Sequence, residues 1–368
     1  PRLLDLVPGD ATAQTLGVAI DIGTTTNVVY LADLRSGQLV DHASAYNAQI
    51  ACGEDIISRI IYARRKGGLA HLQKLVLQTL NGLLEEILAR QGRRPEEIYL
   101  ATVAGNPTMI HLFLGLDPQA IRLEPYIPTV NHPLPVRAGE LGLHIHPEAT
   151  VDCLPGVGAY VGGDITAGVL RARLAEGDVV SLFIDVGTNG EIVLGNADWL
   201  ISCACSAGPA FEGAGVACGM RAAEGAIEEV WIAPQTAEPT YRTIGNAPPR
   251  GICGSGMISL LGEMFITGVM DKSGHLNRNL ATPRIRPGES GAEYVIAWAK
   301  ETATQERDIV LTEADIQNLL RAKGAIYAGM SVLAQSVGLR LEDVERFYIG
   351  GAFGKYIDLE KAIQIGLL

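Results

Sequence analysis

The apolar run Leu16–Leu31, LGVAIDIGTTTNVVYL, is broken at its middle by Gly23 and three threonines, which predicts two strands joined by a turn. Arg35-Ser36-Gly37 marks the next turn, and Leu39–Ala45 completes an antiparallel meander. Gly53-Glu54-Asp55 then opens a helix in which Ile56, Ile57, Ile60 and Ile61 recur at helical spacing, with Arg64, Arg65 and Lys66 near its end and Gly67-Gly68 as its stop. A second helix is predicted over 69–90: Leu72, Leu75, Val76, Leu83, Ile87 and Leu88 share a face, and Gly92 lies just past the end. The strand Ile98–Val103 leads through a small-residue loop, 104–108, into an apolar helix carrying His111, read as a core histidine. Residues 115–150 are Pro-rich and irregular, with His144 and His146 alternating on an expected strand; two histidines fall short of the ligand count of a metal site.

The opening pattern recurs. Ser181–Leu194, SLFIDVGTNGEIVL, is again an apolar strand that ends in Asp185, turns through Gly187-Thr188-Asn189-Gly190 and leaves as a strand, so an internal duplication is expected. Gly23 is expected to take backbone angles that a side chain forbids, and the three threonines of the first turn to offer hydroxyls and amides to an anion. Either copy alone also reads as an ordinary small-residue hairpin. Asn106 points at a ligand from a strand end, or merely initiates a turn with Pro107. Between the copies, 162–170 forms or enters a helix with Asp164 near its start, either a first-turn charge favoured by the helix dipole or a catalytic carboxylate.

Beyond the second hairpin come a third strand, Trp199–Cys203, a small-residue loop at 206–215, and strands with Pro-rich turns over 225–250, read as an insertion rather than a separate domain. Cys253-Gly254-Ser255-Gly256 opens the helix Met257–Thr267, where amides would receive phosphate or ribose unless the glycines serve packing alone. Thr312 caps a helix running to about Ser336, with Glu313 and Asp315 in its first turn. The strand Arg346–Ile349 delivers Gly350-Gly351-Ala352-Phe353-Gly354, whose glycines admit a flat ligand to the backbone.

Composition narrows the classes. A chain of 368 residues with 48% hydrophobic content can bury two cores. Its net charge of -12 argues against the basic surface of a nucleic-acid binder. Six cysteines without a C-x-x-C pair or a zinc-like quartet read as reduced thiols of a cytoplasmic protein. No apolar run of about 18 residues is present, and residues 1–15 read as a linker from an upstream domain, not a leader. Neither G-x-x-x-x-G-K-[ST] nor G-x-G-x-x-G occurs, which excludes P-loop and Rossmann readings.

Taken in order, the hairpin, helices, strand, Asp164 helix, second hairpin, helices, strand and Gly-Gly turn resemble the actin, Hsp70 and sugar-kinase ATPase superfamily over residues 16–360. The phrases DIGTTT, AGNPTMIHLFLG, GGDITAGVL, DVGTNGEIVL, CSAGPAFEGAG, ICGSG and IGGAFG resemble, more narrowly, the ATP-dependent reductive activators of corrinoid proteins. That resemblance implies an α/β fold of two ribonuclease-H-like lobes with an interlobe nucleotide cleft, the lobes being 16–170 and 171–368, the second incomplete at its C-terminus. It implies phosphate contacts from Gly23, Thr24, Thr25, Gly187, Thr188 and Asn189, and further ATP contacts from Gly254, Ser255, Gly350, Gly351, Ala352 and Phe353. Asp21 and Asp185 would hold Mg²⁺ through its waters. Asp164 would orient the attacking water, with Asn106 near the γ-phosphate. ATP would be coupled to reduction of a cobalt(II) corrinoid protein to cobalt(I). A [2Fe-2S] or other iron-sulfur cluster, and the route from the electron donor, would belong to a ferredoxin-like domain outside this chain. Neither nucleic acid nor membrane is an expected partner, and a homodimer is left open. A small-molecule kinase of the same superfamily and a non-catalytic actin-like assembly module are the alternatives.

Overall fold

The computed structural model describes residues 15–187, 189–289, 291–351, 354 and 357–368. Residues 1–14 of the expected linker, and Thr188, Ala352 and Phe353 of the expected site, lie outside them. The chain divides into two units between Arg171 and Ala172. No helix among the described residues is long and apolar enough to cross a membrane.

In the first unit β1 (Leu16–Ile22), β2 (Thr26–Asp33) and β3 (Leu39–Tyr46) form the antiparallel meander. β4 (Ile98–Gly105) runs parallel to β1; the short β5 (Val136–Arg137) and β6 (Thr150–Cys153) complete the sheet in the order β3-β2-β1-β4-β6-β5. Leu16, Val18, Ile20 and Ile22 are buried while Ala19 and Asp21 are exposed, so β1 buries one face and presents the other. The helices are α1 (Ile56–Ala63), α2 (Gly68–Gln91), α3 (Pro107–Leu114), α4 (Ala138–Leu141) and α5 (Gly163–Ala172). Leu72, Val76, Leu80, Leu84 and Ile87 of α2 share a buried cluster with the inward residues of β1. Asp55 starts α1 by accepting from the Ser58 amide at 2.7 Å, and left-handed Gly92 ends α2 by returning its N–H to the Leu88 and Ala89 carbonyls.

Two histidine expectations part ways here. His111 is fully buried, its Nδ1 donating to Pro107 O at 2.6 Å and its Nε2 accepting from the Thr129 amide at 3.1 Å; burial lowers its pKa, so it is a neutral tie within the unit. His144 and His146 are not on a strand. They lie in the turn between α4 and β6, because Pro147 has no N–H for a ladder and the His146 carbonyl accepts from the Ala149 amide at 2.8 Å.

A stability prediction follows from α2. Gly82 is exposed in mid-helix and a Cβ there would meet nothing within 4 Å. Gly82→Ala should raise the unfolding free energy by about 0.5–1 kcal/mol, through the entropy glycine loses on entering a helix. A denaturant titration should show a higher midpoint at unchanged slope, and an unmoved midpoint would contradict it.

The second unit repeats the wiring. β7 (Ser181–Val186), β8 (Gly190–Gly195) and β9 (Leu200–Cys205) form a meander. Two three-stranded sheets follow: β10 (Ala226–Ile232), β11 (Pro239–Thr243) and β12 (Gly251–Ile252), then β13 (Ile285–Gly288), β14 (Gly291–Ala297) and β15 (Ile309–Thr312). Ile227, Val230, Tyr294 and Leu311 from these sheets are buried in one cluster with Leu182 and Ile184 of β7, so the inserted strands share that unit's core. α6 (Gly254–Ile266) lies on β10, α7 (Glu313–Ser336) is capped reciprocally by Thr312 and Asp315, and β16 (Arg346–Gly350) runs parallel to β7 before α8 (Leu359–Gln364). The order β9-β8-β7-β16 matches β3-β2-β1-β4 in sequence and in strand sense, which is the duplication the two hairpins predict.

Candidate active site

Ile22 stands opposite Asn27, leaving Gly23-Thr24-Thr25-Thr26 as a turn closed by the Gly23 amide on Thr26 O at 3.1 Å. A Cβ on Gly23 would lie 2.5 Å from Thr26 O. Close approach is therefore what requires glycine. Gly23 is not among the glycines with left-handed φ, so the expectation of unusual backbone angles is corrected.

Asn106 follows directly on β4, whose Gly105 stands beside Ile22 of β1; a Cβ on Gly105 would be 2.8 Å from Ile22 O. Its Oδ1 accepts from the Met109 amide at 3.0 Å, with Pro107 in the first position of α3, while its Nδ2 donates to Thr24 Oγ1 at 3.2 Å. One side chain thus starts a helix and reaches the hairpin. Gly162 brings the next element in: a Cβ on it would overlap the Gly105 carbonyl and lie 2.8 Å from Asp164 Oδ1. Only glycine lets the first turn of α5 settle against Gly105-Asn106, and that contact sets Asp164 beside Asn106. The Asp164 carboxyl accepts from the Ile165 amide at 2.9 Å, yet burial dominates and raises its pKa above the ordinary carboxylate value.

In the second unit Val186 stands opposite Gly190, and the Gly187 amide donates to Asn189 O at 2.9 Å, a tighter turn than the first. Asp185 is paired in parallel with Gly350, and Gly351, at φ +76°, is so close that a Cβ on it would overlap Asp185 Oδ1. Glycine there keeps space for the carboxylate. Gly254 and Ser255 are buried at the start of α6, with Ser255 Oγ 3.4 Å from Cys253 Sγ and with Gly256 packed on the Ile227 carbonyl. This close packing accounts for Gly256 on its own terms.

Sequence reasoning missed a buried polar group behind the first hairpin. Arg59 and Asn47 are fully buried; Arg59 donates to Thr24 O at 2.5 Å and Asn47 Nδ2 to Gly23 O at 2.9 Å. The available signal was an arginine three residues after Ile56, on the face of α1 that the isoleucine spacing marks as inward.

Cys153 and Cys203 are poor metal ligands. Burial pushes Cys153 up to about 12 and Cys203 to about 11, so the metal-binding thiolate is disfavoured, and no group of three or more His, Cys, Asp or Glu able to hold a metal occurs among the described residues. A Mg²⁺ ion that keeps its waters asks for less, one or two carboxylates beside phosphate; Asp21 lies near the end of β1 in the first unit and Asp185 near the end of β7 in the second.

Residues 179–368 match the family described as the C-terminal domain of RACo, the ASKHA domain, and residues 16–177 match the RACo middle region. The chain belongs to the RACo family. It is 36% identical over 375 residues to corrinoid activation enzyme RamQ of Eubacterium limosum, covering 100% of this chain and 63% of that protein. It is 25% identical over 383 residues to the Co(II) methylated-amine-specific corrinoid protein reductase of Methanosarcina barkeri, covering 95% and 65% respectively. A solved reductive activator for corrinoid, iron-sulfur protein shares 52% identity with a TM-score of 0.89, over 98% of this chain and 57% of that one. This RACo-family chain therefore spans about six-tenths of the length of these relatives. The RACo assignment and the repeated sheet order together establish the α/β fold of two ribonuclease-H-like lobes.

Proposed function

We propose that this chain is the ATP-binding and ATP-hydrolysing part of a reductive activator, which couples ATP to reduction of a cobalt(II) corrinoid protein to cobalt(I) in the cytoplasm. The observation that carries the reading is the convergence, in the first unit, of the Thr24 hydroxyl, the Asn106 amide and the half-buried Asp164 carboxyl through the Gly105–Gly162 contact. Such a set suits phosphoryl chemistry, where catalysis is largely positioning of water and stabilisation of charge. Gly23, Thr24 and Thr25, with Gly187, Thr188 and Asn189, would bind phosphates; Asn106 would hold Thr24 in place near the γ-phosphate; Asp164 would orient the attacking water. Gly350, Gly351, Ala352 and Phe353 would meet the nucleoside, with Gly254 and Ser255 contributing from α6. Mg²⁺ held by Asp21 and Asp185 would neutralise phosphate charge. Iron-sulfur chemistry and the donor would belong to other parts of the full-length protein.

Reduction to cobalt(I) is uphill from ordinary donors, so it needs an element whose two states differ in affinity for nucleotide. An ATPase of this fold supplies one. Calorimetry with MgATP should show binding to the wild-type chain and roughly tenfold or greater weakening in Asp185→Ala, the size expected for loss of a charged interaction. With ATP in excess chelator the two should converge. Equal affinity for MgATP would remove Asp185 from the site, and no binding by wild type would remove the reading.

A further inference from the structure

The backs of the Thr24 and Thr25 peptides are held by side chains that no sequence motif marks. Gly23 O accepts from Asn47 Nδ2 at 2.9 Å, and Thr24 O accepts from Arg59 Nη2 at 2.5 Å, so two successive carbonyls are tied toward the interior. The Asn47 amide also donates to Thr25 O at 2.9 Å. The only cis peptide among the described residues is Glu124-Pro125, and in a trans peptide N–H and C=O point opposite ways. The amides of Thr24 and Thr25 are therefore turned away from Asn47 and Arg59. Among the described residues neither amide has an acceptor.

Arg59 is itself unusual. Its guanidinium is fully buried and is bonded to neutral groups: Thr24 O, Gly53 O at 2.9 Å, Gln49 Oε1 at 3.3 Å and Met109 Sδ at 3.3 Å. Burial lowers its pKa to about 10, opposed by the charge of nearby Asp55, so the group stays protonated at neutral pH. A buried cation bonded to no carboxylate is costly, and exposed Asp55 offsets only part of that cost, since burial still outweighs it.

We propose that Arg59 is a positioning residue for phosphate, fixing with Asn47 the direction of the Thr24 and Thr25 amides and supplying the buried positive charge that an anion on their far side offsets. This rests on the nucleotide reading above and goes further, by giving the phosphate preference of the first hairpin a source in α1. Arg59 does not touch the ligand. It acts through the Thr24 carbonyl.

The test compares MgATP with adenosine, which lacks phosphate, by calorimetry on the full chain as wild type, Arg59→Gln and Arg59→Lys. The ratio of the two affinities does not depend on the fraction folded. Losing a charge-assisted hydrogen bond predicts a fall in the ATP-to-adenosine ratio of about 10–100-fold for Arg59→Gln. Arg59→Lys keeps charge without the fork geometry and should fall between that variant and wild type. Should Arg59→Gln yield no folded protein, the lysine variant carries the test alone, and a wild-type ratio in it overturns the proposal. An unchanged ratio in Arg59→Gln does the same, as does equal loss of ATP and adenosine, which would mark a merely structural arginine. If wild-type chain binds neither ligand, the nucleotide reading falls first and takes this inference with it.

Discussion

Asp164→Asn is expected to slow single-turnover ATP hydrolysis by about 10²- to 10⁴-fold, the usual contribution of a positioned acid–base group, with ATP affinity nearly unchanged. Asparagine keeps the shape, and its Oδ1 can still accept from the Ile165 amide, so the first turn of α5 should persist. What disappears is the basic oxygen. Because burial raises the Asp164 pKa, the ionised form is populated only above that raised value, and the wild-type rate should climb with pH through it. The asparagine variant should lack that limb. The same shift fixes the sign for stability. A folded-state pKa above the unfolded one means that the folded chain holds this proton more tightly, so Asp164's contribution is present below the unfolded value of about 3.8 and lost as pH rises through the folded one. Above the folded value the ionised group stabilises nothing, and there Asp164→Asn should melt no lower than wild type. An unchanged rate at saturating ATP would return Asp164 to the part of a helix-start charge.

Much of this arrangement is legible in the sequence because it is local. Alternation writes out β1 and β2, Gly92 and Thr312 mark helix ends, and the second Asp-x-Gly-Thr phrase announces the repeat of the sheet. The illegible parts are contacts between distant segments. Gly23 invites an argument from backbone freedom, whereas the Thr26 carbonyl decides it. Arg59 lies on the inward face of α1, but its partner Thr24 is 35 residues earlier, so the bond between them is not local. His144 and His146 satisfy a strand's period of two, but Pro147 and the Ala149 turn override the pattern. Asn106 illustrates a third case, since its cap is local and readable while its bond to Thr24, 82 residues away, is not.

Gly162→Ala should separate the position of Asp164 from its chemistry. The added Cβ would overlap the Gly105 carbonyl and Asn106 Cα, both backbone atoms that cannot swing aside as a side-chain tip can, so β4 and α5 must part. Overpacking of this kind typically costs about 1–3 kcal/mol, and the expected result is a correspondingly lower melting temperature. Because the displaced turn carries Asp164, hydrolysis should also fall, and a shift of about 1 Å in a catalytic group can cost on the order of 10²-fold. The carboxylate is still present, so the rising pH limb should survive at the reduced rate, unlike in Asp164→Asn. Gly158→Ala is the control: four residues earlier, its Cβ would meet nothing within 4 Å, and both stability and rate should stay near wild type. If Gly162→Ala matched that control in melting temperature and turnover, the Gly105–Gly162 contact would not be what sets Asp164 beside Asn106.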